Sequence, residues 1–297
     1  MSEQKLVSIL LPIFNVENYI IETLVSIEEQ SYSNIETIII DDGSSDNSYQ
    51  VVFNYIKNKP NFKLYRNIEN QGISKTLNKA LVLSNGYYIA RVDGDDLLDC
   101  NRIYKQVEKV EHSNIDIIGC SLYTIDESSR KIGGIKYTSN SNSIEKLLTF
   151  TSPISHIWLC KKEIYNNVGE YKYDGAEDLF FIQRAHKLGY KISNLDNYYG
   201  MYIRIRSGNT NSLQGLKQRF LHKHVLNQVK KNTEEPFIYK EKPFREFTYK
   251  LSCNLIKKGL SKSLYIKVIY YLISISISYD QFIYLMDRLK KKRLLNK

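Results

Sequence analysis

Over the first 120 positions, short runs of β-branched and aliphatic residues alternate with stretches whose apolar positions recur every three or four residues. Residues 7–11 and 36–40 are too apolar to leave a wet face, as strands buried on both sides require, and residues 62–66, 87–92 and 115–122 continue the series. Between them Ile20, Leu24 and Ile27, then Val51, Val52 and Tyr55, then Leu77, Ala80 and Leu81 each line one face of a helix. Alternation at this spacing predicts βαβ units, hence an α/β fold with a mainly parallel sheet whose ligands bind outside the carboxyl ends of the strands. Residues 123–152 are polar and rich in Ser and Asn, notably from Thr138 to Ser143, and predict an irregular connection. Mixed strand and helix return over 153–205. From about 214 the pattern turns helical, basic and Tyr-rich, broken at Pro236 and Pro243.

The 297 residues, 42% hydrophobic and 25% charged, are ordinary globular values and exclude a disordered or collagen-like chain. Net charge is +10 but lopsided: residues 215–297 carry 19 Lys and Arg against six Asp and Glu, whereas residues 1–214 carry 23 against 26. That asymmetry predicts two parts, 1–212 and 213–297, with different partners. Cys100, Cys120, Cys160 and Cys253 form no CxxC pair, so reduced thiols are expected rather than a disulfide framework or zinc site. The apolar run 6–14 lacks the basic flank and cleavage site of a signal peptide, and no run reaches the roughly 18 apolar residues of a membrane span. A cytoplasmic location is the expectation.

Three acidic clusters carry the candidate chemistry. Asp41 and Asp42 end an apolar strand ahead of Gly43, Ser44, Ser45 and Asp46; Ser44 or Asp46 suffices to cap the next helix, so the two acids before the turn exceed what a cap needs. Asp93, Asp95 and Asp96 end another strand, after Arg91 and Val92. Three carboxylates within four residues repel one another, and a hard divalent cation such as Mg²⁺ or Mn²⁺ relieves that repulsion while binding substrate phosphates. Glu177 and Asp178 open a helical run, where the macrodipole favours acids and where a carboxylate is equally suited to act as a general base.

Taken in order, Ser8 to Asn15, Ile40 to Asp46, Asn70 to Gly72, Val92 to Asp96 with Arg102, and Gly169 with Glu177, Asp178 and Arg184 resemble the motifs of family 2 glycosyltransferases of the GT-A fold, over about residues 5–212. The resemblance implies an inverting, metal-dependent transfer from a UDP-sugar to a glycan or lipid-linked glycan acceptor in surface polysaccharide synthesis. Pro12, Phe14, Asn15 and Glu17 would line the nucleotide pocket; Asp42 would bind the base; Asn70 and Gly72 would lie near the nucleotide, with Lys75 a phosphate neighbour. Asp93 and Asp95 would form the DxD that holds ribose and, chiefly through Asp95, the Mn²⁺ or Mg²⁺. Asp96 would position the sugar or cap the next helix. Asp178 would deprotonate the acceptor hydroxyl with Glu177 in support. Family members often close this domain with Tyr-Arg-x-His; here Tyr202, Arg204 and Arg206 align so that Arg206 takes the His position, and a guanidinium binds phosphate oxygens instead of metal. His156 falls where the family often places a His near the acceptor cleft, though a core role is as natural, and Trp158 is either core or a sugar-stacking surface.

For the basic segment, a solvated face, nucleic acid, and anionic lipid or a lipid-diphosphate acceptor compete. No nucleic-acid motif is present. The lipid reading rests on Tyr265, Ile266, Ile269, Tyr270, Leu272 and Ile273 beside Lys257, Lys258, Lys262 and Lys267, with Lys290 to Arg293 as a cationic end. A peripheral site on the inner membrane face would follow. Competing functions are a non-catalytic nucleotide- or glycan-binding module of the same fold and, disfavoured because Leu97 follows Asp96 on a later strand, a DxD phosphatase.

Overall fold

The computed structural model describes residues 4–206, 210–240, 242–260 and 264–295. A single sheet has the order β3-β2-β1-β4-β8-β6-β9-β5, with β7 paired to β6. Strands β1 (Val7–Ile13), β2 (Ile35–Asp41), β3 (Phe62–Arg66) and β4 (Tyr88–Arg91) run parallel. Helices α1 (Ile20–Glu28), α2 (Ser48–Ile56) and α3 (Ile73–Leu83) connect them. These are the elements the hydrophobic pattern predicts, the strand ends falling within two residues of the expected ones. The chain reverses direction at β4, because β8 (Leu159–Lys161) adds antiparallel to both β4 and β6 (Ile117–Ile125). Strand β9 (Ile192–Arg204) then runs parallel to β6 and antiparallel to the two-residue β5 (Leu97–Leu98).

Alternation along the strands divides the core. Val7, Ile9, Leu11 and Ile13 pack with Ile20, Leu24, Val52 and Ile103 beneath α1, α2 and α4 (Arg102–Glu111). Leu10, Ile38 and Ile40 pack on the other face with Leu77, Trp158, Phe181 and Ile182, beneath α3, α6 (Lys162–Val168) and α7 (Glu177–Lys187). Trp158 is thus core: it is 1% exposed, donates to the Tyr165 hydroxyl at 3.1 Å and stacks on Phe181, so it presents no sugar-stacking face.

The polar segment 123–152 is ordered, contrary to the sequence expectation. It completes β6, forms a hairpin to the fully exposed β7 (Lys131–Ile135), then enters α5 (Ser141–Leu148). The composition misleads because its Ser and Asn residues do capping work. Asn140 accepts from the Ser143 amide at 2.9 Å, while the few apolar residues, Ile144, Leu147 and Leu148, share one buried face.

Helix α8 (Thr210–Lys231) is kinked at Gly215, whose φ of 29° and ψ of −103° are non-helical, and beyond the kink Leu221, Val225 and Val229 pack on Leu179 and Phe180 of α7. Helices α9 (Pro243–Leu260), α10 (Leu264–Ile277) and α11 (Tyr279–Leu295) follow, Pro243 opening α9 at the position where its missing N–H costs nothing. Ser252 and Ser274 pair across α9 and α10 at 2.5 Å, and Arg245 grips Asp280 through Nε and Nη2 at 2.5 and 2.7 Å. Among the described residues no helix is long and apolar enough to cross a membrane.

At the amino end of the sheet, buried Glu36 accepts from Ser8 Oγ (2.6 Å), the Asn85 amide (2.5 Å) and Lys63 Nζ (2.8 Å), so one carboxylate ties β1, β2, β3 and the turn into β4. Burial alone would raise its pKa, but these donors outweigh burial and hold it at about 2. With a folded pKa below the ordinary 4.5, its contribution is complete above pH 4.5 and is lost as pH falls toward 2. Glu36→Gln turns an amide toward donors, and urea unfolding at pH 7 should show a loss of about 1–3 kcal/mol. The gap between the two chains should narrow steadily below pH 4.5; a gap independent of pH would refute this role.

Candidate active site

The acidic clusters meet at the carboxyl ends of β1, β2 and β4, flanking the point where strand order reverses between β1 and β4. On the β2 side, Asp42 is 5% exposed and its two oxygens accept from Asn67 Nδ2 (2.7 Å), the Gln71 amide (2.9 Å) and the Gly72 amide (3.0 Å). It therefore fixes the 67–72 loop ahead of α3. Asn15 and Glu17 act likewise on the neighbouring turn: Asn15 Oδ1 accepts the Ser45 amide at 2.9 Å, and Glu17 Oε2 accepts the Asn47 amide at 2.9 Å. Pro12 is buried at the end of β1, whereas Phe14 is 43% exposed at the cleft rim.

Two glycines permit the close approach of these loops. Gly43 has φ 71°, and a Cβ there would lie 2.7 Å from the Glu69 carbonyl carbon. Gly72 has φ 89°, and its Cβ would lie 2.1 Å from Asp174 Oδ2. Asp174, which the sequence reading missed, accepts the Ser74 amide at 2.9 Å and so anchors the loop before α7 onto the start of α3. Asn78 reinforces the junction by bonding both the amide and the carbonyl of Tyr171, at 2.9 and 3.0 Å. Asn70 Oδ1 accepts the Gly72 amide at 3.1 Å, and Lys75 is exposed one turn into α3.

On the β4 side the organising residue is Arg91, which is 4% exposed. Its Nε and Nη2 reach the two oxygens of Asp93 at 2.8 and 3.2 Å, and its Nη1 reaches Glu177 Oε1 at 3.0 Å. Burial works against charge on all three groups. For Asp93 the Arg91 guanidinium and the His156 ring prevail, and the carboxyl titrates far below the usual range. For Glu177 burial prevails and raises it, Arg91 opposing. The only sequence signal for Arg91 was its place two residues before the DxD, an odd position for a cation inside a buried strand.

His156 Nε2 stands 3.3 Å from Asp93 Oδ2, at an angle too poor for a hydrogen bond, so this buried nitrogen has no aligned partner. Asp96 is 3% exposed and accepts the Arg204 amide at 2.9 Å; burial first, then the charges of Asp95 and Asp93, push its carboxyl well above the usual range. Ligand atoms of Asp93, Asp96 and His156 all lie within 4.8 Å of one another. Asp95 turns instead to Arg206, whose Nε is 2.7 Å from its Oδ2. Arg204 is fully buried and bonded to Asp95 O, Asp126 O, Ser129 Oγ and Glu22, which leaves Arg206 as the guanidinium available to a ligand. Residues 207–209 lie outside the described residues.

Arg102 is also wholly buried, donating to the carbonyls of Arg91 and Ile157 at 3.2 and 3.0 Å; it braces the end of β4 and does not face the cleft. Gly169 ends α6 with φ 93°. Arg184 pairs with Glu234 in the segment after α8. Asp178 sits in the first turn of α7, half-buried, its Oδ1 accepting the Leu179 amide at 2.7 Å, and it acts electrostatically on Tyr137 and Lys291.

A mixed sheet with acidic side chains gathered at its switch point, flanked by the acidic first turn of α7, is the architecture of GT-A-type glycosyltransferases. Residues 8–169, more than half of the chain, match the family model described as glycosyl transferase family 2, and the chain belongs to that family. The Streptococcus pneumoniae glycosyltransferase GlyG is 27% identical over 218 residues, 69% of this chain and 72% of that protein. The Bacillus subtilis uncharacterized glycosyltransferase EpsJ is 29% identical over 212 residues, 67% of this chain; the chain spans 60% of EpsJ's length. Among solved structures, S. aureus TarS in complex with UDP-GlcNAc superposes with TM-score 0.61 at 19% identity, covering 98% of this chain and 78% of that one. The Pyrobaculum calidifontis mannosyltransferase PcManGT with GDP-Man and Mn²⁺ gives 0.62 at 16% identity, covering 99% and 86%. At such identities the structural likeness establishes the fold.

Arg91→Met leaves buried Glu177 and half-buried Asp93 without their guanidinium and should cost about 3 kcal/mol in urea unfolding. Adding Glu177→Gln removes one stranded charge and should recover part of that loss. Additive destabilisation would show that the bridge is not the source of the effect.

Proposed function

We propose that the chain transfers a sugar from a UDP-sugar to a hydroxyl of a glycan or lipid-linked glycan acceptor, with residues 1–212 as the catalytic part and 213–297 as a basic helical appendage. The single observation that carries this is the convergence of Asp93, Asp95, Asp96, His156 and Arg206 at one end of the sheet, with Asp178 on the helix that Glu177 ties to the same site through Arg91. The donor set fits a divalent cation: carboxylates alone suit Mg²⁺, and the unpartnered imidazole makes Mn²⁺ the better match. Asp93, Asp95, Asp96 and His156 would hold it. When bound, such an ion supplies charge stabilisation for a departing nucleoside diphosphate.

The chain's own groups account for the remaining chemistry. Asp42 presets the 67–72 loop that would face the base, and Pro12, Phe14 and Gly72 border that pocket. Arg206, exchanging its carboxylate partner for phosphate oxygens, would neutralise part of the leaving group's charge. Asp178 would accept the acceptor proton as the hydroxyl attacks, and Glu177 would keep Arg91 and hence Asp93 in register. One base with in-line displacement inverts the anomeric centre. Surface polysaccharide assembly is the setting proposed for this transfer.

The appendage supports attachment to an anionic membrane face. Ile266, Ile269, Leu272 and Ile273 of the expected strip are 40–57% exposed, joined by Phe244, Phe247 and Leu289 at 61–80%; Lys262 lies outside the described residues. Exposed apolar side chains on a segment this rich in lysine suit an anionic interface.

Thermal shift with a panel of UDP-sugars should show a preferred donor whose stabilisation requires Mn²⁺; no shift with any nucleotide would reject the reading. Arg206→Ala should weaken UDP uptake about tenfold or more, as loss of a charge-assisted contact demands, without lowering the melting midpoint of the free chain appreciably. In sedimentation, phosphatidylglycerol vesicles should recover far more protein than phosphatidylcholine vesicles, and Leu272→Asp with Ile273→Asp should abolish the difference. Equal recovery on both lipids would remove the membrane from the account.

A further inference from the structure

Helix α11 folds back across the catalytic part and lies on α5. Lys290 Nζ rests 4.4 Å above the Phe150 ring, fixing the rotation of the helix, and the next residue, Lys291, turns inward with its Nζ 5.7 Å from the Tyr137 ring centre. Tyr137 bonds Ser155, the neighbour of His156, and Asp178 acts electrostatically on both Tyr137 and Lys291. A continuous strip therefore runs from the inward end of α11 past the base to the carboxylates of the DxD. Lys291 is half-buried and, among the described residues, makes no hydrogen bond or close ion pair. Burial lowers its ammonium below the ordinary lysine range, and Asp178 offsets only part of that. A half-buried ammonium with an aromatic face beside it and no close counter-ion is open to an anion.

We propose that Lys291 is the anion-recognising wall of the acceptor subsite, and that the acceptor carries a phosphate group close to the hydroxyl that receives the sugar. This rests on Asp178 being the base of the transfer. A neutral glycan gains nothing from this ammonium, whereas a phosphate oxygen pairs with it, is read through the Tyr137 edge, and is brought beside Asp178 with its hydroxyl. The phosphate belongs either to a soluble phosphodiester chain or to a lipid headgroup, the shared chemistry being a phosphate monoanion or dianion presented at the end of α11.

The test uses the full chain saturated with UDP and Mn²⁺, so that the donor side is filled. Lysine acylation read by peptide mass spectrometry should slow at Lys291 with glycerol 1-phosphate, not with glycerol at matched ionic strength, while exposed Lys250 on α9 is unchanged. Protection by phosphatidylglycerol vesicles in place of soluble phosphate would assign the lipid source. In calorimetry, Lys291→Gln should weaken glycerol 1-phosphate about tenfold, the loss of one charge-assisted contact, and leave UDP uptake within a factor of two. Equal labelling of Lys291 under all conditions, or equal phosphate affinity in both chains, overturns the proposal. Failure of the wild-type chain to take up UDP strikes the donor reading instead, so the two failures are distinguishable.

Discussion

A single buried guanidinium sets the geometry of this cleft. Arg91 ends β4 inside the sheet, where a lone cation would be intolerable, and it is stable there only because Asp93 and Glu177 close on it from two directions. Asp93 belongs to the loop that would carry the donor; Glu177 opens the helix that carries Asp178. One residue thus sets the distance between the donor side and the acceptor side. The same electrostatics keep Asp93 ionised while Asp96, lacking such a partner, is pushed toward its neutral form. The cluster thus holds one carboxylate charged and its near neighbour driven toward neutrality.

The loops around that bridge are held by hydrogen bonds that leave little slack. Asp42 gathers the 67–72 loop, Asn15 and Glu17 gather the 44–47 turn, and Asp174 with Asn78 fastens the approach to α7 onto α3. Several residues that a motif comparison places against the ligand are therefore spent largely on shaping the walls. Their polar side chains preorganise the pocket, which is what a site that must discriminate between an attacking hydroxyl and water requires.

The appendage is tied into this machinery. Arg184 of α7 pairs with Glu234 beyond α8, Leu221 and Val225 pack under Phe180, and α11 returns to α5. Its described surface carries exposed apolar side chains, Phe244, Phe247, Leu272 and Leu289 among them, on a segment rich in lysine.

The order of strands and helices up to β4 was legible in the chain because period-2 apolar runs and period-3.6 stripes are local properties, and the acidic residues stood out because like charges crowded at strand ends demand an explanation. Composition misjudged residues 123–152, where Ser and Asn cap and turn an ordered hairpin and helix, and it left Trp158 undecided until Tyr165 and Phe181 enclosed it. Only the fold decided that β8 enters antiparallel beside β4, that Arg204 is buried while Arg206 faces Asp95, and that residues 91 and 177, or 178 and 291, are neighbours. Those facts depend on segments 69 or more residues apart in the chain, and the physical chemistry of a short stretch of sequence contains no information about what will be packed against it.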